Sequence, residues 1–184
     1  VQGLIKDTEI RSQLADMLQS NVIQRVSTMT GPVSQVLLVR KQDGSWRFCV
    51  DFRRLNLCTT PHIFPIPNIR QLLERLGARR ATWFAVLDLT KGYYQAPLAA
   101  ESRQFTAFTT TAGIFEWLRV PMGLAGAPSY FQSQMVDRVL AGLIYDKVEN
   151  YLDDLIIFGR TKEEYLTNLE AVLTALRRVG ITVN

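Results

Sequence analysis

The sequence has very few of the residues that build disulfide frameworks and zinc sites. It contains two cysteines, Cys49 and Cys58, and a single histidine, His62, for which we expect no functional role. Two cysteines at these positions exclude a disulfide framework, and together with one histidine they exclude a zinc site. We therefore expect two ordinary thiols in a reducing compartment.

Long apolar runs, low-complexity tracts and internal repeats are also lacking. No run approaches the roughly 20 apolar residues that span a bilayer, so we expect no membrane partner. Residues 1–7 lack the basic-then-apolar pattern of a signal peptide, which argues against secretion. The first residue is valine rather than methionine, which indicates that the chain was excised from a longer one.

The composition is that of a globular domain with a hydrophobic core: 184 residues, 47% of them apolar and 21% charged. The net charge of +4 and the pI of about 9.3 fit a polyanionic partner. Many basic proteins bind no nucleic acid, so the charge alone does not identify that partner.

Periodicity and turn residues predict an α+β fold, with an antiparallel sheet and helices packed on one side. The predicted helices are residues 8–20 with Thr8 as the N-cap, residues 68–76, a segment beginning at Pro128 and a segment from Thr161 to Gly180. A break at Thr30-Gly31-Pro32 follows the first helix. The predicted strands form hairpins over residues 33–52, 105–120 and 147–158, and a single apolar strand over residues 82–89. We expect that single strand to be buried on both faces.

Three aspartates stand out against this pattern. Asp88 ends the apolar strand, where a charge is costly unless a cation compensates it. Asp153 and Asp154 are adjacent at the turn of the last hairpin, where like charges raise each other's pKa. The turn lets one of them face a site shared with Asp88, and carboxylate oxygens suit magnesium. Taken alone, an Asp-Asp pair is more often a solvated turn than a metal site, and the apolar flanks and Asp88 are what favour the metal site here.

Four segments, in order along the chain, resemble motifs of reverse transcriptases from Gypsy-type long-terminal-repeat retrotransposons. They are residues 36–56, residues 87–95, residues 120–128 followed by Phe131-Gln132, and the tetrapeptide Tyr151-Leu152-Asp153-Asp154. This resemblance implies the fingers and palm of a right-hand polymerase. It implies that residues 1–86 are mainly fingers and residues 87–184 mainly palm, with residues 105–125 returning in part to the fingers.

The resemblance also implies the reaction and its cofactors. The family extends a primer on an RNA or DNA template with dNTPs and releases pyrophosphate. Its cofactors are two magnesium or manganese ions, which Asp88, Asp153, Asp154 and the backbone carbonyl of Leu89 would hold. In this chemistry two ions about 3.5–4 Å apart stabilise the attacking and the leaving oxygens.

Substrate contacts follow from the same resemblance. Arg47 and Lys41 would bind the incoming triphosphate, because basic side chains bind phosphate oxygens, although solvated hairpin charges are the alternative. Tyr93 would exclude a ribose 2′-hydroxyl, with a packed helix residue as the alternative. The remaining implied contacts are Gly92 and Met122 to the nucleotide, and Tyr151, Gly123, Pro128 and Arg53 to nucleic acid.

The family continues past residue 184 into the thumb, connection and ribonuclease H domains, and its polyproteins also contain protease and integrase. It acts in cytoplasmic virus-like particles or in the nucleus. We expect a chain without the thumb to bind template-primer poorly, because phosphate contacts dominate affinity for nucleic acid. Tyr94, Met122, Gly126 and Gln35 depart from the family's usual residues, and none of these departures removes a metal ligand.

Three other interpretations remain open. The chain could be a non-catalytic relic that keeps the fold as a binding module, another right-hand polymerase, or an unrelated magnesium hydrolase. The three intact aspartates disfavour the relic, and Tyr93 disfavours an RNA-making enzyme. Residues 46–53 likewise disfavour another right-hand polymerase, and a magnesium hydrolase would not explain the fingers motif of residues 36–56.

Overall fold

A computed structural model describes residues 2–28 and 31–184. Of the break predicted at residues 30–32, Thr30 lies outside the described residues, and Gly31 and Pro32 belong to neither a helix nor a strand. The helices are α1 Gln2–Gln19, α2 Arg53–Leu57, α3 Ile69–Ala78, α4 Ala100–Arg103, α5 Ala127–Gln134 and α6 Lys162–Val179. The strands are β1 Ile23–Arg25, β2 Ser34–Arg40, β3 Trp46–Val50, β4 Trp83–Asp88, β5 Phe108–Thr110, β6 Gly113–Trp117, β7 Val148–Tyr151 and β8 Asp154–Gly159. A π-helical turn, Met135–Val139, continues α5, and Gly92–Gln95 and Gln104–Thr106 are 3-10 turns.

The chain divides into two compact units. Unit 1 contains Val1–Pro61 and Tyr93–Ala127, and unit 2 contains His62–Gly92 and Pro128–Asn184. Residues 62–86, which the sequence placed with the fingers, thus belong to unit 2 together with the last hairpin. The α+β class is confirmed, but the sheet is divided into a five-stranded and a three-stranded one.

Unit 1 is built on the five-stranded sheet, in the order β1-β6-β5-β2-β3, in which only β2 and β5 run parallel. The predicted first hairpin is confirmed, with Arg40 opposite Trp46. Helix α1 buries Leu14 and Met17 against a core of aromatic residues. The N-cap predicted at Thr8 is wrong, because the helix begins six residues earlier and the Thr8 hydroxyl donates to the Leu4 carbonyl within it.

Unit 2 is built on the three-stranded sheet, in the order β4-β8-β7, with all strands antiparallel. Asn68 caps α3 and Thr161 caps α6, each through a hydrogen bond from a backbone N–H to its side chain. Gly180 ends α6 at φ 73°, a left-handed conformation that favours glycine. α6 agrees with the sequence prediction, whereas α3 begins as predicted but continues through Gly77 to Ala78, beyond its predicted end at residue 76.

The prediction that residues 82–89 are buried on both faces is wrong. β4 is an edge strand of its sheet, and Phe84 and Val86 on one of its faces are 50% and 65% exposed. Its apolar composition is typical of a strand covered on both faces, but among the described residues no layer covers the face of Phe84 and Val86. The charge of Asp88 is therefore not buried, and that residue is exposed.

Candidate active site

The three aspartates lie at one end of the three-stranded sheet. β4 and β8 pair so that Asp88 is directly opposite Asp154. Tyr151 pairs with Asp154 across the β7–β8 turn, which leaves Leu152 and Asp153 at its tip. The Leu89 N–H donates to the Asp153 carbonyl at 2.9 Å and ties the tip to the residue that follows β4. The antiparallel register therefore brings together residues that are 65 positions apart, as the sequence predicted.

The turn that carries Asp153 has an unusual backbone. Leu152 has a φ of 53°, in the left-handed region that a branched residue seldom adopts. The buried Gln132 of α5 holds it: the side-chain oxygen accepts from the Leu152 N–H at 2.8 Å, and the amide donates to the Asn150 carbonyl at 3.2 Å. Asn150 in turn donates to the Leu152 carbonyl at 2.9 Å. Two amide side chains thus fix the conformation of the turn.

Sequence reasoning missed the roles of Gln132 and Asn150. Both are buried, with 0% and 1% exposure. A buried amide must find hydrogen-bond partners, so a glutamine next to the apolar positions of α5 is a signal in the sequence that a polar contact exists. The partner lies 20 positions further along the chain, and no local pattern identifies it.

Asp153 is in an environment that disfavours its charge. Burial, and then the negative charges of Asp88 and Asp154, raise the pKa of the Asp153 carboxyl above its ordinary value. Its Oδ1 atom is buried and has no hydrogen-bond partner among the described residues. An unpaired carboxylate oxygen facing further carboxylates is what a divalent cation compensates, so this donor set fits magnesium or manganese.

Gly92 explains how this carboxylate is accommodated. A Cβ atom added to Gly92 would lie 2.9 Å from the Asp153 carboxyl carbon and 3.4 Å from the Phe131 ring. Any larger residue would therefore displace Asp153. The structure thus places Gly92 beside a carboxylate, and the sequence had assigned it to the nucleotide pocket.

The side chains do not form a closed metal cage. Within residues 2–28 and 31–184, no group of three acidic, histidine or cysteine side chains is arranged to hold an ion. Asp88 Oδ2 instead accepts a hydrogen bond of 2.6 Å from the Asn184 side chain. The Leu89 carbonyl, also a predicted ligand, accepts from the Gly92 N–H at 3.1 Å. A carbonyl oxygen has two lone pairs, so this contact leaves one available.

Tyr151 and Pro128, both predicted nucleic-acid contacts, also lie in unit 2. Tyr151 is half-buried and packs against the cluster of Leu72, Leu76 and Phe158. Pro128 is in the first turn of α5, where its missing N–H costs nothing. Packing thus accounts for part of the environment of Tyr151.

The other predicted site residues lie in unit 1. Lys41 and Arg47 are exposed on the β2–β3 hairpin, and Met122 is 44% exposed. Arg53 forms a bidentate pair with Asp51, with N–O distances of 2.9 and 2.7 Å. Hydrogen bonds from Arg53 lower the pKa of the Asp51 carboxyl to about 2.

Tyr93 and Gly123 have defined backbone surroundings in unit 1. The segment that follows Tyr93 pairs with the one that precedes Met122, since the Val120 N–H donates to the Ala96 carbonyl at 2.9 Å. Gly123 has a φ of 95°, which side chains rarely adopt, so this turn requires glycine. Tyr93 is half-buried.

Comparison with known families agrees with this arrangement. Residues 39–184 match the family model described as reverse transcriptase (RNA-dependent DNA polymerase). The chain belongs to this family, and the resemblance found in its sequence is confirmed.

Its relatives include polyproteins of insect retrotransposons. The chain is 36% identical over 179 residues to the retrovirus-related Pol polyprotein from transposon opus of Drosophila melanogaster, covering 96% of this chain and 18% of the relative. It is 38% identical over 138 residues to that from transposon gypsy of the same species, covering 75% and 13%. The chain thus spans less than a fifth of the length of these relatives.

Solved structures agree with the fold. The foamy viral protease-reverse transcriptase in complex with an RNA/DNA hybrid superposes with a TM-score of 0.85 at 25% identity, covering 97% of this chain and 23% of that one. The same enzyme type in complex with double-stranded DNA gives 0.78 at 26% identity, covering 97% and 30%. Among the described residues, no helix is long and apolar enough to cross a membrane.

Proposed function

We propose that this chain carries the polymerase centre of a retroelement reverse transcriptase, with unit 1 as the fingers and unit 2 as the palm. It catalyses template-directed transfer of a dNTP to a primer 3′ end, with release of pyrophosphate. The observation that supports this best is the group of three carboxylates, in which Asp88 is opposite Asp154 and Asp153 has a buried oxygen with no hydrogen-bond partner in the part of the chain that the structure describes.

Asp88, Asp153 and Asp154, together with the Leu89 carbonyl, would hold two magnesium or manganese ions. When bound, these ions supply electrostatic stabilisation of the attacking 3′-oxygen and of the leaving pyrophosphate. The protein's own contribution is to position these oxygens. Gln132 and Asn150 hold the turn that carries Asp153, and Gly92 leaves room for its carboxylate.

The substrate contacts belong to the same proposal. The exposed guanidinium of Arg47 and the ammonium of Lys41 bind the triphosphate, and Met122 borders the base and sugar. Tyr93 excludes the ribose 2′-hydroxyl. Gly123 contacts the template strand and Tyr151 lies near the primer end, while Arg53 and Pro128 contact the nucleic acid. The substrate is a primed RNA or DNA template, as the hybrid and duplex complexes of the foamy viral enzymes suggest.

The larger context follows from the relatives. Since they are Pol polyproteins several times longer than this chain, we propose that it acts beside thumb, connection, ribonuclease H, protease and integrase domains. Its place of action is then a cytoplasmic virus-like particle or the nucleus.

Primer extension on poly(rA)/oligo(dT) with magnesium or manganese tests the function. We expect DNA synthesis that Asp153→Asn abolishes and that the matched surface variant Asp137→Asn retains, since Asp137 is exposed on the π-helical turn. The chain is assayed alone and extended through a thumb domain. A folded, extended protein that makes no DNA would contradict the proposal and favour the non-catalytic relic.

A further inference from the structure

Asn56 makes a contact in unit 1 that the proposed chemistry has not used. It lies near the end of α2, and its side chain reaches a turn 67 to 69 positions further along the chain. The amide nitrogen donates to the Gly123 carbonyl at 2.9 Å, and the amide oxygen accepts from the Ala125 N–H at 2.9 Å. A single amide thus binds both sides of one turn.

The turn depends on this contact because it has little regular structure of its own. Gly123 has a φ of 95°, and the next backbone hydrogen bond runs from the Ala127 N–H to the Leu124 carbonyl at 3.1 Å. On its other side, the Cβ position of Gly123 faces the Phe52 ring at 3.7 Å and the Val50 carbonyl at 3.8 Å. Asn56 therefore holds the turn against the chain that links β3 to α2.

Only an asparagine-like group satisfies both partners. The Gly123 carbonyl needs a donor and the Ala125 N–H needs an acceptor, and a carboxylate of the same size offers acceptors alone. A carboxylate at position 56 would place a negative oxygen against the Gly123 carbonyl. The chemistry of the contact is therefore specific to the amide and not only to the shape of the side chain.

The two ends of this contact carry residues assigned to the substrates. Met122 and Gly123 are in the turn, and α2 begins with Arg53, which follows the strand that carries Arg47. A change at Asn56 would alter the turn without removing any of these side chains.

We propose that Asn56 is a positioning residue that sets the Met122–Gly123 turn for the incoming nucleotide. This inference rests on the proposed function. It makes Asn56 a determinant of nucleotide affinity, acting through the turn and not through contact with the substrate.

The test compares Asn56→Asp and Asn56→Ala with Thr59→Val in the chain alone and in the chain extended through a thumb domain. Thr59 is the matched control, because it closely follows α2 and its hydroxyl donates to the Leu55 carbonyl at 2.8 Å, a contact that does not reach the Met122–Gly123 turn. We expect Asn56→Asp to raise the KM for dNTP about tenfold while kcat changes less than about threefold. Thr59→Val should leave KM unchanged.

Hydrogen exchange at the Ala125 amide provides a readout that does not need activity. We expect exchange at Ala125 to become about tenfold faster in both Asn56 variants and to stay the same in Thr59→Val. If exchange at Ala125 is unaffected, the contact does not hold the turn. If exchange rises but KM does not, Asn56 is structural only; either result overturns the inference.

The two proposals fail in different ways. A wild-type chain that makes no DNA, alone or extended, contradicts the proposed polymerase function. Exchange at Ala125 then decides whether Asn56 holds the turn. An active wild type whose Asn56 variants match Thr59→Val contradicts the positioning role alone.

Discussion

At the scale of single residues, the surroundings of Asp153 disfavour its negative charge and so favour the binding of a cation. Its pKa is raised by burial and then by Asp88 and Asp154, so the ionised form is less stable in the folded chain than in the unfolded one. The resulting loss of stability begins as the pH rises through 3.8, the ordinary pKa of the carboxyl. It grows up to the raised pKa of the folded chain and is complete above both. At neutral pH the charge of Asp153 therefore lowers stability.

Asp153→Asn should raise the melting temperature at neutral pH without divalent cations. The gain should vanish near pH 3, where the carboxyl is protonated in both states. Magnesium or manganese should raise the melting temperature of the wild type more than that of the variant, because the cation compensates the charge. Thermal unfolding at both pH values, with and without cation, checks this, and a variant less stable than wild type at neutral pH would refute it.

Gln132→Leu should weaken the turn that carries Asp153. The substitution keeps an apolar side chain of similar size but leaves the Leu152 N–H without its partner. An unsatisfied buried group costs about 1–3 kcal/mol, and we expect primer extension to fall about tenfold or more. Gln134→Leu, the same change two residues along α5, is the control, and equal activities for the two variants would be evidence against the role of Gln132.

Tyr93→Ala should raise the use of ribonucleotides relative to deoxyribonucleotides, because a small side chain no longer blocks the 2′-hydroxyl. Tyr93→Phe keeps the ring and should retain the wild-type preference. The measurement is the ratio of kcat/KM for a dNTP and the matching rNTP. If Tyr93→Ala leaves this ratio unchanged, the assignment of Tyr93 is wrong.

At the scale of elements, a buried ion pair joins α3 to β7. Arg75 binds Glu149 with two hydrogen bonds of 2.7 Å, and the Glu149 side chain is 1% exposed. Glu149 is two residues before Tyr151, so the pair anchors the strand that leads into the turn that carries Asp153. The Arg75 guanidinium also lies over the Tyr145 ring at 4.9 Å.

Arg75→Ala should leave a buried carboxylate without compensation. Removing one partner of such a pair costs about 3 kcal/mol, the lower end of the usual range because Arg75 itself is partly exposed. Arg79→Ala is the control, since Arg79 pairs with the exposed Asp146. We expect this variant to lose much less free energy of unfolding than Arg75→Ala. Urea unfolding measures the free energy of unfolding of both variants. Similar losses would mean that the Arg75–Glu149 pair stabilises the fold no more than an exposed ion pair does.

At the scale of the whole molecule, the net charge of +4 favours a nucleic-acid partner. Phosphate contacts release counterions, so affinity for template-primer should fall linearly with salt on a double logarithmic plot.

Arg53→Ala should reduce that slope by about one, the amount expected for one lost phosphate contact. Arg178→Ala, near the end of α6, is the control and should leave the slope unchanged. Fluorescence anisotropy with a labelled primed template at several salt concentrations measures this slope for each variant. An unchanged slope for Arg53→Ala would remove Arg53 from the nucleic-acid contacts.

The elements that sequence reasoning predicted correctly are those with local causes. The β2–β3 hairpin follows from an Asp-Gly turn between alternating strands, and α6 follows from its cap at Thr161 and its end at Gly180. The start of α1 was predicted wrongly because Thr8 is a good N-cap residue, yet the preceding residues also form helix. Local preference at one residue does not decide between two helix starts that differ by one or two turns.

The amino-acid sequence by itself determined the α+β class and the hairpins, because periodicity and turn residues are local properties. It also determined that Asp88 ends an apolar strand and that Asp153 and Asp154 lie at a hairpin turn. Only the tertiary structure decided that β4 is an exposed edge, that Gly92 makes room for Asp153, and that Gln132 and Asn56 hold their turns. Each of these depends on partners between 20 and 76 positions away. Such contacts arise from the packing of the whole fold, which no local pattern encodes.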